Sequence, residues 1–372
     1  MSKRTTRRSP EFYMCMALDL ARQCPGVPYP NPWVGCVIVR NGRVVGKGFH
    51  RGAGSNHAEV EALLDAGTLA RGADLYVTLE PCCHHGRTPP CTDAILKAGV
   101  RKVFYAMQDP NPRVAGRGAR LLRRRGLMVS SGFCSVEAAA LNEMYVKFQA
   151  TGLPFVTAKL ATSLDGKIAT RTGQSKWITD EVARRRARLL RAGHQAVLVG
   201  INTVLSDDPH LGPREDGTVE PWRIVLDSSL RVPVNSQVVK SGKCIVACTA
   251  RASAARKARL EHAGAKVMSF RGKHVPLRAL LKRLGNEEII SLMVEGGGEV
   301  LGSFFDMRLV DRVCWFLAPV ILGSALSRVA VGGIGAANLD KACWLREASI
   351  EKVGNSWLIE ARIPYSTTGL FD

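Results

Sequence analysis

His57-Ala58-Glu59, followed by Glu80-Pro81-Cys82-Cys83-His84-His85-Gly86-Arg87-Thr88-Pro89-Pro90-Cys91, is the stretch from which the rest of this sequence is read. A neutral imidazole from His57 and thiolates from Cys82 and Cys91 make three zinc ligands. Three ligands leave a fourth position for water, the arrangement of a catalytic rather than a structural site. Glu59 reaches such a water more readily than it reaches the metal itself, so it fits a proton shuttle. Zinc lowers the pKa of water toward neutrality, the oxygen attacks an amidine-like ring carbon, and a carbonyl and ammonia result. Cys83, His84 and His85 are rival ligands. Cys82 is preferred because it follows Glu-Pro, and Pro89-Pro90 stiffens the approach to Cys91. The plain alternative is a zinc ribbon or unrelated core cysteines.

His-x-Glu with Pro-Cys-x-x-Cys is the signature of zinc deaminases acting on nucleobases, but here the gap between the two cysteines is wider. The longer loop brings two histidines, Arg87 and Thr88 to the edge of the metal. Around it the chain alternates strand and helix. Apolar runs at Val34–Arg40 and Arg43–Phe49 meet at Asn41-Gly42, a hairpin dipeptide. Helical periodicity covers His57–Leu69, a strand Asp74–Leu79, a helix from Cys91, and a strand Lys102–Ala106. A helix and a strand then run out to Ser130. His57 and Cys91 thus fall at helix N-termini, whose partial positive charge favours thiolate and hydroxide. These elements predict an α/β/α layered domain.

A last helix, Ser135 to Gln149, runs into Thr151-Gly152-Leu153-Pro154, which cannot continue it. We therefore divide the chain into domains 1–151 and 152–372, as a length of 372 residues allows. The second series has strands at Phe155–Leu160, Ala196–Gly200, Arg223–Leu226, Cys244–Ala247 and Ser291–Val294. Helices are expected at Asp180–Ala192, Ala252–Ala263, Pro276–Leu284 and from Glu299, with closing strands at Arg312–Phe316 and Trp357–Ile363. No Gly-x-Gly-x-x-Gly follows a strand, which argues against a Rossmann domain. Leu292-Met293-Val294-Glu295 does lead into Gly296-Gly297-Gly298 and a helix, a junction whose backbone amides can cradle phosphate, although a tight turn without ligand reads equally well.

The net charge of +20 attracts anions: nucleic acid, anionic lipid or phosphorylated small molecules. Much of it lies in Arg120–Arg125 and Arg184–Arg191, which read as solvated helix faces. No apolar run approaches the ~18 residues of a membrane span. The basic Met1–Pro10 is followed by Asp19 and no cleavage site, so a cytoplasmic protein is expected. Eleven scattered cysteines do not suggest a disulfide framework. Cys15, Cys24, Cys36, Cys134, Cys244, Cys248, Cys314 and Cys343 read as small core residues.

Five blocks in the first half resemble those of a known family: Pro30-Asn31-Pro32-Trp33-Val34-Gly35-Cys36, His57-Ala58-Glu59, Thr78-Leu79-Glu80-Pro81-Cys82, His85 to Cys91 and Gln108-Asp109-Pro110-Asn111-Pro112. The second half adds Lys159-Leu160, Ser163-Leu164-Asp165-Gly166, Ser175-Lys176-Trp177-Ile178-Thr179, Thr203 to Pro209, and Val294-Glu295-Gly296-Gly297-Gly298. Nearly the whole chain is similar to the bifunctional deaminase–reductase family of riboflavin biosynthesis. That resemblance implies a cytidine-deaminase-like domain and a dihydrofolate-reductase-like domain. Together these deaminate 2,5-diamino-6-ribosylamino-4(3H)-pyrimidinone 5′-phosphate, then reduce its ribosyl group with NADPH, hydride reaching the sugar C1 once the ring has opened to an imine.

The resemblance further implies that Asn31 contacts the substrate pyrimidine and that His84, Arg87 and Thr88 line its binding loop. It implies NADP contacts from Ala161, Trp177, Thr203, Asp207, Ser228 and the run Gly297, Gly298, Glu299, Val300, Leu301, Gly302 and Ser303. Ser175, Arg191, Leu211, Arg214 and Glu295 would face the reductase substrate, the arginines suiting its phosphate. Without the resemblance, Trp177 reads as core, Asp207-Asp208-Pro209 as a cap or turn, and Lys159 and Asp165 as salt-bridge or turn residues. Trp33 and Cys83 depart from the family's usual polar residue and serine without removing a ligand. A small-molecule substrate, zinc and NADPH are the expected partners, with no nucleic acid and no membrane; a homo-oligomer is left open. A nucleic-acid-editing deaminase is the main rival reading, opposed by the long Cys82–Cys91 loop.

Overall fold

Asn41 and Gly42 both take positive φ, 51° and 77°, and reverse the chain between β1 (Gly35–Arg40) and β2 (Arg43–Phe49), as that dipeptide predicts. The computed structural model describes residues 8–24, 28–86, 88–214 and 218–364. The chain divides into two units, Met1–Gly152 and Leu153–Asp372.

In the first unit α1 (Pro10–Arg22) precedes the hairpin, and α2 (Ala58–Ala66), β3 (Asp74–Leu79), α3 (Cys91–Ala98), β4 (Lys102–Met107), α4 (Arg117–Arg124), β5 (Met128–Ser131), α5 (Ser135–Leu141) and α6 (Glu143–Thr151) follow it. The sheet runs β2-β1-β3-β4-β5, antiparallel at β1 and parallel from β3 to β5. One face, with Val37, Val39, Tyr76 and Ala106, packs against Tyr13, Met14, Ala17 and Leu18 of α1 and Ala138 of α5. On the other face α2 lies so close to β2 that a Cβ on Gly48 would stand 2.4 Å from the Ala58 carbonyl oxygen. Only glycine permits that approach, and it seats the start of α2, where His57 and Glu59 are.

One expectation needed revision here, and one helix is an addition. The single helix Ser135 to Gln149 is two helices, because Asn142 leaves helical geometry and turns its side chain to the Trp33 backbone: its Oδ1 accepts from Trp33 N at 2.8 Å and its Nδ2 donates to Trp33 O at 2.9 Å. Helix α1 had no sequence-based assignment. Ser9 caps it by accepting from Phe12 N, with Pro10 at its first turn.

The second unit comprises β6 (Phe155–Ser163), α7 (Glu181–Ala192), β7 (Ala196–Gly200), α8 (Ile201–Asp207), β8 (Trp222–Leu226), α9 (Gln237–Lys240), β9 (Cys244–Thr249), α10 (Ala254–His262), β10 (Lys266–Phe270), α11 (Leu277–Asn286), β11 (Ser291–Gly296), α12 (Gly298–Asp306), β12 (Arg312–Ala318), β13 (Arg346–Val353) and β14 (Ser356–Arg362). Its sheet runs β10-β9-β8-β7-β11-β6-β12-β14-β13. The strands from β10 to β12 are parallel, and β14 and β13 are antiparallel additions.

Alternate residues of β7 and β8 feed two apolar layers. Leu198 and Ile224 join Leu280, Leu284 and Phe304 of α11 and α12, while Val197 and Val225 join Val204, Val238 and Leu260. Both faces are covered, as parallel strands require. β10 and β13 were missed in the sequence; β13 is exposed along nearly its whole length and carries no inward apolar alternation.

Five of the eight cysteines assigned to the core are buried. Cys15 and Cys343 are exposed and Cys134 is half-buried, a correction whose reason is helical or loop placement on the outer surface. Among the described residues no helix is long and apolar enough to cross a membrane.

Candidate active sites

His57 is the N-cap of α2 and Cys91 the first residue of α3, so two helix starts converge with Cys82, which follows β3. The His57 Nδ1 lies 3.0 Å from Cys91 Sγ and 3.5 Å from Cys82 Sγ, and the three ligand atoms lie within 4.8 Å of one another. One imidazole nitrogen and two thiols, half-buried to buried, form the donor set that zinc takes. The hydrogen bond from Cys91, helped by His57, pulls the Cys82 thiol down to about 4. Cys83 stays outside the cluster, and burial raises its thiol. The expected preference for Cys82 thus has a geometric basis.

The other ring nitrogen of His57 meets the Thr88 hydroxyl at 3.1 Å. Thr88, expected to line the substrate loop, thus also touches the ring of a candidate ligand, as groups behind metal-binding histidines commonly do. Glu59 is buried beside the cluster, in hydrogen-bonding reach of Cys91, and burial followed by the Cys82 charge raises its carboxyl to about 7.

Glu80 explains why Cys82 follows Glu-Pro. Its buried carboxylate accepts from the backbone of Gly116 at 2.8 Å and Ala119 at 3.0 Å, fixing the strand end against the start of α4. Asn31 is held through Nδ2 by His50 Nε2 at 2.8 Å, and His50 Nδ1 in turn meets the Asn56 carbonyl at 3.0 Å. His50 escaped the sequence reading because its partners are distant in the chain. His84 Nδ1 is buried with no hydrogen-bond partner among the described protein atoms. Arg87 lies outside the described residues.

In the second unit Ala161, Thr203, Ser228, Glu295 and Gly297 stand near or just after the carboxyl ends of the parallel strands β6, β7, β8 and β11, where open α/β sheets bind ligands. Gly297 caps α12, and among the described residues no side-chain cap serves the first amides of that helix. A Cβ on Gly298 would lie 2.3 Å from the Val329 carbonyl, and one on Gly297 3.8 Å from the Thr203 hydroxyl, so the glycine run brings backbone where a side chain would intrude. Ser175 donates to Asp207 at 3.4 Å and Lys176 to its carbonyl at 3.2 Å. Trp177, read from sequence as core, is 69% exposed beneath the Arg184 guanidinium, 4.4 Å from the ring centre. Ala161 lies near the end of β6. Ser228 follows β8, and its carbonyl accepts from Thr249 Oγ1 at 2.9 Å.

The run 297–303 does not face one way. Leu301 joins the core, Gly302 is pressed against Gly332, and Ser303 returns its hydroxyl to Glu299 O at 2.8 Å. Helical periodicity leaves Glu299 and Ser303 exposed, with Gly297, Gly298 and Val300 half-buried between them and the core.

Arg191 was expected to offer its fork to phosphate. It gives that fork to Glu295, at 2.5 and 2.9 Å, while Lys159 lies 3.5 Å from the same carboxylate. Burial opposes ionisation of Glu295, yet Arg191 and Lys159 prevail and hold it at about 2. Leu211 packs its side chain in the core, so only its backbone can meet a ligand, and Arg214 is exposed. Asp165 proves to be a turn residue, accepting from Leu322 N and Gly323 N at 3.0 and 2.8 Å.

A zinc-type ligand set with a buried carboxylate on an α/β/α unit, followed by a parallel-sheet unit with a bare glycine cradle, defines a deaminase joined to a reductase. Residues 7–107 match the cytidine and deoxycytidylate deaminase zinc-binding region, and residues 154–359 the RibD C-terminal domain. The riboflavin biosynthesis protein RibD of Aquifex aeolicus is 43% identical over 93% of this chain and 96% of its own length; that of Escherichia coli is 44% identical over 84% of this chain and 89% of its own. The solved Acinetobacter baumannii RibD superposes with a TM-score of 0.88 at 35% identity, covering 96% of this chain and 99% of its own. A Thermotoga maritima diaminohydroxyphosphoribosylaminopyrimidine deaminase/5-amino-6-(5-phosphoribosylamino)uracil reductase gives 0.81 at 34% identity, covering 95% and 99%. This chain belongs to the RibD family of riboflavin biosynthesis enzymes.

Proposed function

We propose that the first unit removes the pyrimidine amino group of 2,5-diamino-6-ribosylamino-4(3H)-pyrimidinone 5′-phosphate by hydrolysis and that the second reduces the ribosyl group of the product with NADPH. The observation that carries the reading is the convergence of His57, Cys82 and Cys91 beside the buried Glu59. Zinc, held by those three, supplies Lewis acidity toward water. Glu59, with a carboxyl near 7, can take a proton from the attacking water and return it to the ring nitrogen and then the departing amine at neutral pH. With its amide nitrogen engaged by His50, Asn31 has its oxygen left to accept from a pyrimidine N–H. His84 offers its unpaired Nδ1 to the same ligand.

In the reductase unit NADPH supplies hydride, and the first amides of α12 and the neighbouring Thr203 suit its phosphates. Trp177, Asp207, Ser228 and Ala161 border that cradle in this reading. Lys159, Arg191 and Glu295 form a charged cluster for the ribosyl phosphate substrate, with Ser175 and Arg214 at its rim. The partners are then small molecules rather than nucleic acid or membrane, in a cytoplasmic setting. The exposed edge strand β13, with Ile350 71% exposed and Trp344 66% exposed just before it, suits a second copy of the chain.

Incubation with the diaminopyrimidine substrate, following ammonia release and NADPH oxidation together, tests both halves. Ammonia followed by substrate-dependent NADPH loss is expected. Ammonia alone would confine the proposal to the first unit, and neither signal from zinc-loaded protein would overturn it in favour of an oligonucleotide substrate.

A further inference from the structure

Two cysteines remote from the metal ligands lie against each other on the surface of the N-terminal unit. Cys15 is on the exposed side of α1 and Cys134 immediately precedes α5. They are 119 positions apart in sequence, yet their Sγ atoms are 3.6 Å apart. Cys134 holds φ at +56°, a conformation uncommon for any residue but glycine, and its thiol also lies 3.9 Å from the Glu11 carbonyl of α1. The thiol is therefore aimed at α1. The helices bearing the pair share one apolar layer through Tyr13, Leu18 and Ala138, so the two sulfurs are kept in register by packing.

We propose that Cys15 and Cys134 are a thiol–disulfide exchange site that takes a low-molecular-weight disulfide of the oxidised-glutathione class and closes into an intramolecular disulfide. Cys15 gives up its proton to solvent and attacks one sulfur of the external disulfide. That S–S bond breaks, a mixed disulfide forms on Cys15, and the first thiol leaves carrying a proton. Cys134, deprotonated in turn, attacks Cys15 Sγ and expels the second thiol. Two cysteine thiols are oxidised and one external disulfide is reduced to two thiols.

The order of events follows from exposure. Cys15 faces solvent, whereas burial pushes the Cys134 thiol up to about 11, leaving it the slower, resolving partner. Closing the pair to a bonded separation of about 2 Å brings the two sulfurs together by roughly 1.5 Å from their 3.6 Å separation. The bridge would span most of the first unit and restrict its unfolded chain, raising that unit's unfolding midpoint by about 5 to 15 °C.

The test uses the full-length, zinc-loaded protein in glutathione buffers of increasing oxidised fraction, quenched by alkylation and mapped by peptide mass spectrometry. A linked Cys15–Cys134 peptide pair and a higher unfolding midpoint of the deaminase unit are expected, both reversed by reduced glutathione. Cys134→Ser should stop at a glutathione adduct on Cys15, and Cys15→Ser should leave Cys134 alkylatable; neither should change deamination under reducing conditions. A persistent Cys15 adduct in the unsubstituted protein, or linkage of Cys82 or Cys91 in place of this pair, would overturn the proposal.

Discussion

The metal-ligand cluster and the proposed reductase site both lie by the carboxyl ends of parallel strands, yet they draw on the chain in opposite ways. The cluster takes its three ligands and Glu59 from residues 57–91, on two helix starts and one strand end. The proposed reductase site would draw Lys159 from β6, Arg191 from α7, Thr203 from α8, Ser228 after β8 and Glu295 from β11. A site on adjacent elements inherits its geometry from helix starts and glycine contacts. One spread over five elements depends on the sheet holding register, and there a charged residue can find a protein partner before it finds a ligand. Arg191 did.

The comparison predicts separable failures, and the largest is expected from the metal. Stripping zinc with a chelator should abolish ammonia release while NADPH oxidation with the already deaminated substrate continues; parallel loss of both would break the separation of sites. Next, Glu59→Gln should keep zinc, measured by metal analysis, and lower deamination by about 10²- to 10⁴-fold, again sparing the reductase. Gly298→Ala, which sets a Cβ against the Val329 carbonyl, should raise the KM for NADPH by about tenfold or more, given that overpacking costs roughly 1–3 kcal/mol. Ammonia release should be unaffected.

Arg191→Ala should weaken substrate binding in the reductase more than NADPH binding and destabilise that unit, because Glu295 keeps only Lys159. An unchanged substrate KM together with an unchanged unfolding midpoint would remove Arg191 from both roles. The smallest effect is a pH dependence. Because the folded carboxyl of Glu295 is depressed to about 2, its stabilisation is complete above the unfolded carboxyl range near 4 and is lost as pH falls toward 2. The gap in unfolding midpoint between the unsubstituted protein and Glu295→Gln should narrow across that window; a constant gap would mean that the pair contributes through shape alone.

His57, Glu59, Cys82 and Cys91 were legible because spacing and residue chemistry there almost dictate geometry: a histidine capping one helix and a cysteine opening another leave few other arrangements. The hairpin at Asn41-Gly42 was legible for the same local reason, since few residue pairs accept two positive φ angles. The break at Asn142 was not, because it arises from Asn142 reaching Trp33, 109 positions away. Leu211 and Leu301 illustrate the same limit: a family pattern marks a residue's neighbourhood, but the direction of its side chain follows from how α12 and the segment after α8 pack.

From the sequence alone came most of the order of strands and helices, the zinc-type ligand set with Glu59 beside it, and the presence of a second α/β half. These follow from periodicity, turn chemistry and short spacing, which act within a few residues. Only the tertiary structure decided that Arg191 and Lys159 close on Glu295, that Thr88 and His50 brace His57 and Asn31, and that Cys15 meets Cys134. Those contacts join positions far apart in sequence, and their geometry exists only once sheet pairing and helix packing have brought the elements together.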